Sequence, residues 1–126
     1  MSNKILVVDD DRALQLLLEV LFSRAGFDVD FAGDGKEAMT KIASGVEYQT
    51  IVLDLVLPEI SGKEILDLLE RDRAALLPRV IVLSGASRGI LEQIDTSRIH
   101  ALIRKPFDIQ DLLLQAVKCS KAGTEF

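Results

Sequence analysis

A single cysteine, three prolines and no tryptophan leave this 126-residue chain poor in residues that staple or break a fold. Cys119 alone excludes an internal disulfide and suits a reducing cytosol, so a cytoplasmic location is expected. It falls in a C-terminal helical stretch without histidine or acidic neighbours, which reads as packing or surface. No apolar run approaches the roughly 20 residues of a membrane span, and the N-terminus lacks a secretory apolar core. Positive charge is also short: 15 Lys and Arg stand against 20 Asp and Glu, a net charge of -5. Phosphate backbones demand clustered Lys and Arg, so no general nucleic-acid surface is expected here, and DNA contact would fall to a separate domain joined to this one. Internal repeats and linkers are missing as well.

What is present describes one folded domain. Hydrophobic residues at 48% and charged residues at 28% exclude a disordered chain, and the length suits one core but not two. The domain is read over residues 1–122. Adjacent KpnI and EcoRI restriction sites encode Gly-Thr-Glu-Phe in frame, so 123–126 reads as a cloning scar or the start of a linker.

Four apolar runs, Ile5–Val8, Ile51–Leu53, Val80–Leu83 and Ala101–Ile103, are continuous, as in strands buried on both faces of a parallel sheet. A fifth differs: Phe27, Val29 and Phe31 alternate with Asp28 and Asp30, marking a strand with one wet face at a sheet edge. Between the strands, Leu14, Leu17, Leu18, Leu21, Phe22 and Ala25 form a helical stripe, with Asp11 as its cap and Gly26 as its end. Ile109, Leu112, Leu113, Ala116 and Val117 repeat the spacing behind Asp108. Residues 35–44 and 62–72 are weaker helical segments. The stretch 87–98 is weakest, because Gly89 and Asp95-Thr96-Ser97 oppose a helix. Strand and helix alternate five times, which predicts a doubly wound α/β sandwich with a five-stranded parallel sheet. The wet second strand fits the flavodoxin-like order 2-1-3-4-5, where function gathers at the carboxyl ends of the strands.

Those ends carry the chemistry. The first strand runs into Asp9-Asp10-Asp11, the third into Asp54, the fourth into Ser84-Gly85 and the fifth into Arg104-Lys105-Pro106. Two carboxylates about 4 Å apart repel by roughly 4 kcal/mol at an effective dielectric near 20. A divalent cation compensates such crowding; oxygen-only ligands select magnesium, calcium or manganese, and few protein ligands without a cage favour magnesium. Helix capping accounts for Asp11 but not for acids at the ends of two strands. Lys105 reaches the cluster as a point charge rather than merely closing a surface ion pair, and Pro106 after it permits a cis peptide. Ser84 before glycine is turn chemistry taken alone; beside an aspartyl phosphate its hydroxyl could donate to a phosphate oxygen.

The runs Ile5-Leu-Val-Val-Asp-Asp-Asp11, Val52-Leu-Asp-Leu-Val-Leu-Pro-Glu-Ile-Ser-Gly62, Val82-Leu-Ser-Gly85 and Arg104-Lys-Pro-Phe107 together resemble the receiver domains of two-component response regulators, over roughly residues 3 to 120. The resemblance implies that Asp54 is the phosphoacceptor and that Asp9 and Asp10 form the acidic pocket. It implies that Asp10, Asp54 and the carbonyl of Val56 hold magnesium beside Asp9, and that Ser84 and Lys105 bind phosphoryl oxygens. The donor would be a sensor histidine kinase, a histidine phosphotransfer protein or a small phosphodonor such as acetyl phosphate. The signal would pass to an effector protein or fused output domain, with a homodimer through the last strand and helix as one form. Such a domain assists its own phosphorylation but is a switch, not an enzyme.

Two departures bear on that expectation. Leu102 stands three residues before Lys105, where many receivers carry an aromatic switch residue; alternation puts His100, a bland surface histidine, on the same face. Switching is therefore expected through the fourth helix and its loop. Val56 and Ala86, two residues beyond Asp54 and Ser84, cannot orient water by hydrogen bonding, so slow self-dephosphorylation is expected. Rival chemistries lack their residues. Flavin phosphate wants Ser, Thr or Gly where three aspartates stand, the P-loop is absent, and a haloacid-dehalogenase-type phosphatase wants an acid where Val56 stands. The surviving alternative is a binding-only pseudo-receiver.

Overall fold

The computed structural model describes residues 3–85 and 88–122; the 123–126 tail lies outside them. β1 (Asn3–Val8), β3 (Thr50–Asp54) and β4 (Val80–Ser84) form the middle of the sheet, and β2 (Phe27–Ala32) and β5 (Ala101–Arg104) its edges. Every pairing is parallel and the order is β2-β1-β3-β4-β5, as the strand patterns predict. The unbroken apolar runs of β3 and β4 are buried from end to end, because helices cover both faces. On β2 the wet positions find polar partners: Asp28 pairs with Lys4 at 3.0 Å, and Asp30 accepts a 2.7 Å hydrogen bond from the buried Tyr48 hydroxyl. Burial and that bond to Asp30 push the Tyr48 phenol above its ordinary pKa.

β5 departs from expectation. The order 2-1-3-4-5 puts it at the opposite edge, but its continuous run reads as buried on both faces, and Ala101, Leu102 and Ile103 are only half buried. Three residues are too few to reveal an alternation, so the pattern could not distinguish an edge from the interior.

Five α-helices follow the strands: α1 (Arg12–Arg24), α2 (Gly35–Ala43), α3 (Gly62–Asp72), α4 (Arg88–Leu91) and α5 (Ile109–Ala122). Asp11 caps α1 through Ala13 N and Leu14 N at 3.0 and 3.2 Å, and Gly26 at φ +93° ends it. Asp108 accepts from Gln110 N at 2.8 Å at the head of α5. Asp34 and Ser61 cap α2 and α3, two starts the apolar pattern does not mark. In the weak stretch α4 is a single turn, and Asp95 instead organises a 3-10 turn at Thr96–Arg98 by accepting from Ser97 N. Such side chains hydrogen-bond locally and compete with helix.

The sheet divides two cores. On one face Val8, Leu53 and Val82 meet Ala38, Ile65 and Leu69 of α2 and α3. On the other Val7, Val52 and Leu83 meet Leu18 and Phe22 of α1 and Leu112 of α5. The buried face of α1 keeps Leu18 and Phe22 of the predicted stripe inside and Leu14 and Leu21 against the core, but takes in Gln15 and leaves Leu17 and Ala25 exposed. Apolar residues surround this helix, with Leu16, Leu17 and Val20 all about half exposed, so composition alone points in no single direction.

Candidate functional site

Matched registers carry the strand ends to one rim. Val8 lies beside Leu53, Asp54 beside Leu83 and Ser84 beside Arg104. The ladders run one residue further: Asp9 N donates to Ala32 O, Leu55 N to Leu83 O and Lys105 N to Ser84 O, at 3.0, 3.2 and 2.8 Å. Residues scattered across the sequence are thereby set on a rigid edge, each held by backbone bonds rather than by loop packing.

The acids and the lysine then meet directly. Lys105 Nζ lies 2.8 Å from Asp54 Oδ2 and 3.7 Å from Asp9 Oδ2. Asp54 Oδ1 accepts from Val56 N at 2.9 Å, and Asp9 Oδ1 from Asp11 N at 2.9 Å. Asp9 Oδ2 is buried without a hydrogen-bond partner. One carboxylate oxygen from each of Asp9, Asp10 and Asp54 falls within a 4.8 Å cluster, Asp10 being the exposed member. Burial raises the Asp9 pKa to about 6, opposed by the Asp11 amide and furthered by the charge of Asp54, with Lys105 pulling it back. For Lys105, partial burial works against the charge, but the hydrogen bond and charge of Asp54, with those of Asp9, outweigh it and raise its pKa.

This donor set suits a small hard cation. The oxygens are carboxylates, one is a buried acceptor lacking a partner, and three acids face one cation. Magnesium fits without a dedicated cage because it keeps several waters.

Close packing behind Asp54 explains a motif whose physical role the sequence does not reveal. A Cβ at Gly62 would lie 2.5 Å from Asp54 O and Leu55 Cα, so only glycine lets α3 begin so near the strand end. Its amide donates to Leu55 O at 3.0 Å. In the intervening loop Glu59 takes φ +65°, a left-handed conformation that a side chain rarely adopts.

Of the residues nominated from sequence, Asp9, Asp54 and Lys105 are in direct contact, Asp10 joins the acid cluster, and Ser84 is buried at the adjoining strand end. The peptide between Lys105 and Pro106 is cis. Val56 places its amide on Asp54 and leaves its side chain 60% exposed. Ala86 lies outside the described residues. His100 departs from expectation: it precedes β5, so alternation does not govern it, and its Nε2 lies 3.1 Å from Gln115 Oε1 on α5, whereas Leu102 packs on the α2–α3 side. Sequence reasoning missed Gln15, whose side-chain amide donates to the Asp9 carbonyl. Its signal is a polar residue three and seven positions before the buried Leu18 and Phe22.

The family model of the response regulator receiver domain matches residues 5–118. The transcriptional regulatory protein DltR of Streptococcus agalactiae is 31% identical over 112 residues, covering 87% of this chain and 48% of its own. The response regulator ArlR of Staphylococcus saprophyticus is 33% identical over 113 residues, covering 88% and 49%. The chain thus spans about half the length of these curated relatives. Among solved structures, the signal receiver domain from Bermanella marisrubri superposes with a TM-score of 0.82 at 31% identity, over 94% of this chain and 98% of that one. The response regulator TrrA of Thermotoga maritima, solved in complex with Mg(2+)-BeF, gives 0.77 at 27% identity, over 93% and 98%.

Proposed function

The chain belongs to the response regulator receiver domain family, and from that premise we propose that it accepts a phosphoryl group on Asp54 and relays the change to a partner-facing surface. The observation that carries the reading is the contact of Lys105 Nζ with Asp54 Oδ2 at 2.8 Å, beside the buried Asp9 oxygen that accepts no hydrogen bond.

An Asp54 oxygen forms a bond to phosphorus as the bond from phosphorus to its leaving group breaks. The leaving electron pair goes to the imidazole of a phosphohistidine, on a sensor kinase or phosphotransfer protein, or to acetate from acetyl phosphate. Carboxylates are weak nucleophiles, and the transfer depends mainly on alignment and charge neutralisation. Val56 N and Lys105 orient the Asp54 carboxylate before reaction. Lys105, held charged by its two acidic neighbours, then stabilises phosphoryl oxygens, and the Ser84 hydroxyl donates to another. Asp10, Asp54 and the Val56 carbonyl, beside Asp9, would hold magnesium, which when bound offsets the charge on the phosphoryl group.

The phosphoryl group adds negative charge and three strong acceptor oxygens. Ser84 and Lys105 respond, and α4, the next element after β4, moves with them. The domain is a switch rather than an enzyme, set in the cytoplasm that its unpaired cysteine fits. Its named relatives are regulators of about twice its length, which supports an output domain fused to it or a separate effector as the recipient.

Intact mass after incubation with acetyl phosphate and magnesium tests the proposal. A single phosphoryl adduct, absent in Asp54→Asn and without metal, is expected. A folded protein that takes no adduct from acetyl phosphate or phosphoramidate would instead be a binding-only pseudo-receiver.

A further inference from the structure

Asp10 is the least restrained acid of the cluster. Asp9 is held by its amide and by Oδ1, and Asp54 by Val56 N and Lys105. Among the described residues no hydrogen bond or ion pair holds the exposed Asp10 carboxylate. What its surroundings fix is therefore the backbone from which this side chain projects. The peptide joining Asp9 to Asp10 is planar, so holding its carbonyl oxygen fixes the plane from which the N–Cα bond of Asp10 leaves. That oxygen is held by one side chain, Gln15, reaching back from the first turns of α1.

Gln15 is buried on the same helix face as Leu18 and Phe22. A leucine there would extend the apolar core, whereas a buried amide lowers stability unless it is hydrogen-bonded. The amide is spent on the one carbonyl whose orientation aims Asp10. Asp11 flanks the arrangement: its amide holds Asp9 Oδ1, and its carbonyl accepts the main-chain N–H of Gln15 at 3.0 Å as the helix begins.

We propose that Gln15 is a positioning residue for the cation site, fixing the Asp9–Asp10 peptide from α1 so that the Asp10 carboxylate points into the acid cluster. This rests on the receiver reading above. Gln15 touches neither the phosphoryl group nor the cation. Its loss therefore weakens cation affinity and leaves the transfer step itself intact once the cation is bound.

The test is calorimetric titration of Mg2+ into the wild-type chain and Gln15→Met, which keeps the length but not the donor. Residues that orient metal ligands typically change affinity by about 10–100-fold when removed, and a loss of about tenfold is expected here. In acetyl phosphate reactions the Mg2+ concentration for half-maximal rate should rise by a like factor, with the maximal rate within about twofold. A purely structural role would instead lower the maximal rate or the stability and leave half-saturation in place. Wild-type affinity in Gln15→Met would overturn the positioning role and leave the receiver reading standing. A wild-type chain that binds no Mg2+ would overturn both. Should Gln15→Met not fold, the wild-type side-chain amide resonances of Gln15 decide: movement on Mg2+ titration supports the role, and signals unmoved at saturation overturn it.

Discussion

At the scale of single residues, Asp9 is held in a medium that disfavours its charge. Its carboxyl has a pKa raised from 3.8 to about 6, first by burial, so between those values the folded chain binds more protons than the unfolded one. Stability from this group therefore falls as pH rises through that window. In chelator, Asp9→Asn should be more stable than wild type at pH 7 by on the order of 1–2 kcal/mol and lose this part of the pH dependence. Calorimetric unfolding at pH 4 and pH 7 checks both, and equal stability at pH 7 would contradict the burial argument. Lys105 acts at the other extreme, where its raised pKa contributes stability lost only above its ordinary 10.5. Val56 gives a second prediction. Its exposed aliphatic side chain cannot orient an attacking water, so the phosphorylated chain should persist well beyond seconds and Val56→Asn should shorten its lifetime. Loss of the adduct followed by mass would show it; a wild-type half-life of seconds, unchanged in Val56→Asn, would refute it.

Among the elements, the junction of β3 and α3 tolerates least. Gly62 lets the head of α3 meet Asp54 O and Leu55 Cα, and neither backbone atom can retreat without moving Asp54. Overpacking of this kind costs about 1–3 kcal/mol, and Gly62→Ala is expected at the upper end, with slower phosphorylation by acetyl phosphate. Urea unfolding and intact mass measure the two effects. A variant as stable and as reactive as wild type would mean that the loop yields freely. Gly35 makes a parallel contact, since a Cβ there would lie 2.7 Å from Ile60 in the same loop, so α2 also bears on the segment that follows Asp54.

For the whole molecule, the question is which surface answers the site. Leu102 packs against the core cluster that also receives Leu91 and Ile94, the residues of and just after α4. This side chain has no ring to rotate inward, so a coupling of the strand to α4 would pass through the apolar cluster they share. Beyond α4, Arg98 pairs with Asp95 and with Glu70 of α3, which ties the segment to its neighbour through exposed ion pairs worth little each. Phosphorylation is therefore expected to change amide exchange across residues 84–98. Unchanged exchange in that span would place the response elsewhere. A near-complete flip between two states requires about 5.5 kcal/mol of differential interaction, toward which new bonds from Ser84 and Lys105 would count on the proposed reading.

The strand order, the wet edge strand, the caps Asp11 and Asp108 and the convergence of Asp9, Asp54 and Lys105 were all legible in the sequence. Each follows from a local rule: apolar runs mark strands, alternation marks an edge, and parallel strands must present their carboxyl ends on one rim. What the chain's order could not convey depends on neighbours distant in sequence. The half-burial of β5, the place of Gln15 rather than Leu17 on the buried face of α1, the bond from His100 to Gln115 and the nearness of Gly62 to Asp54 were settled only when layers packed. Gln15 shows why: in sequence it is a polar residue between Leu14 and Leu16, outside the predicted stripe, and only the turn of α1 against β1 makes it the partner of the Asp9 carbonyl.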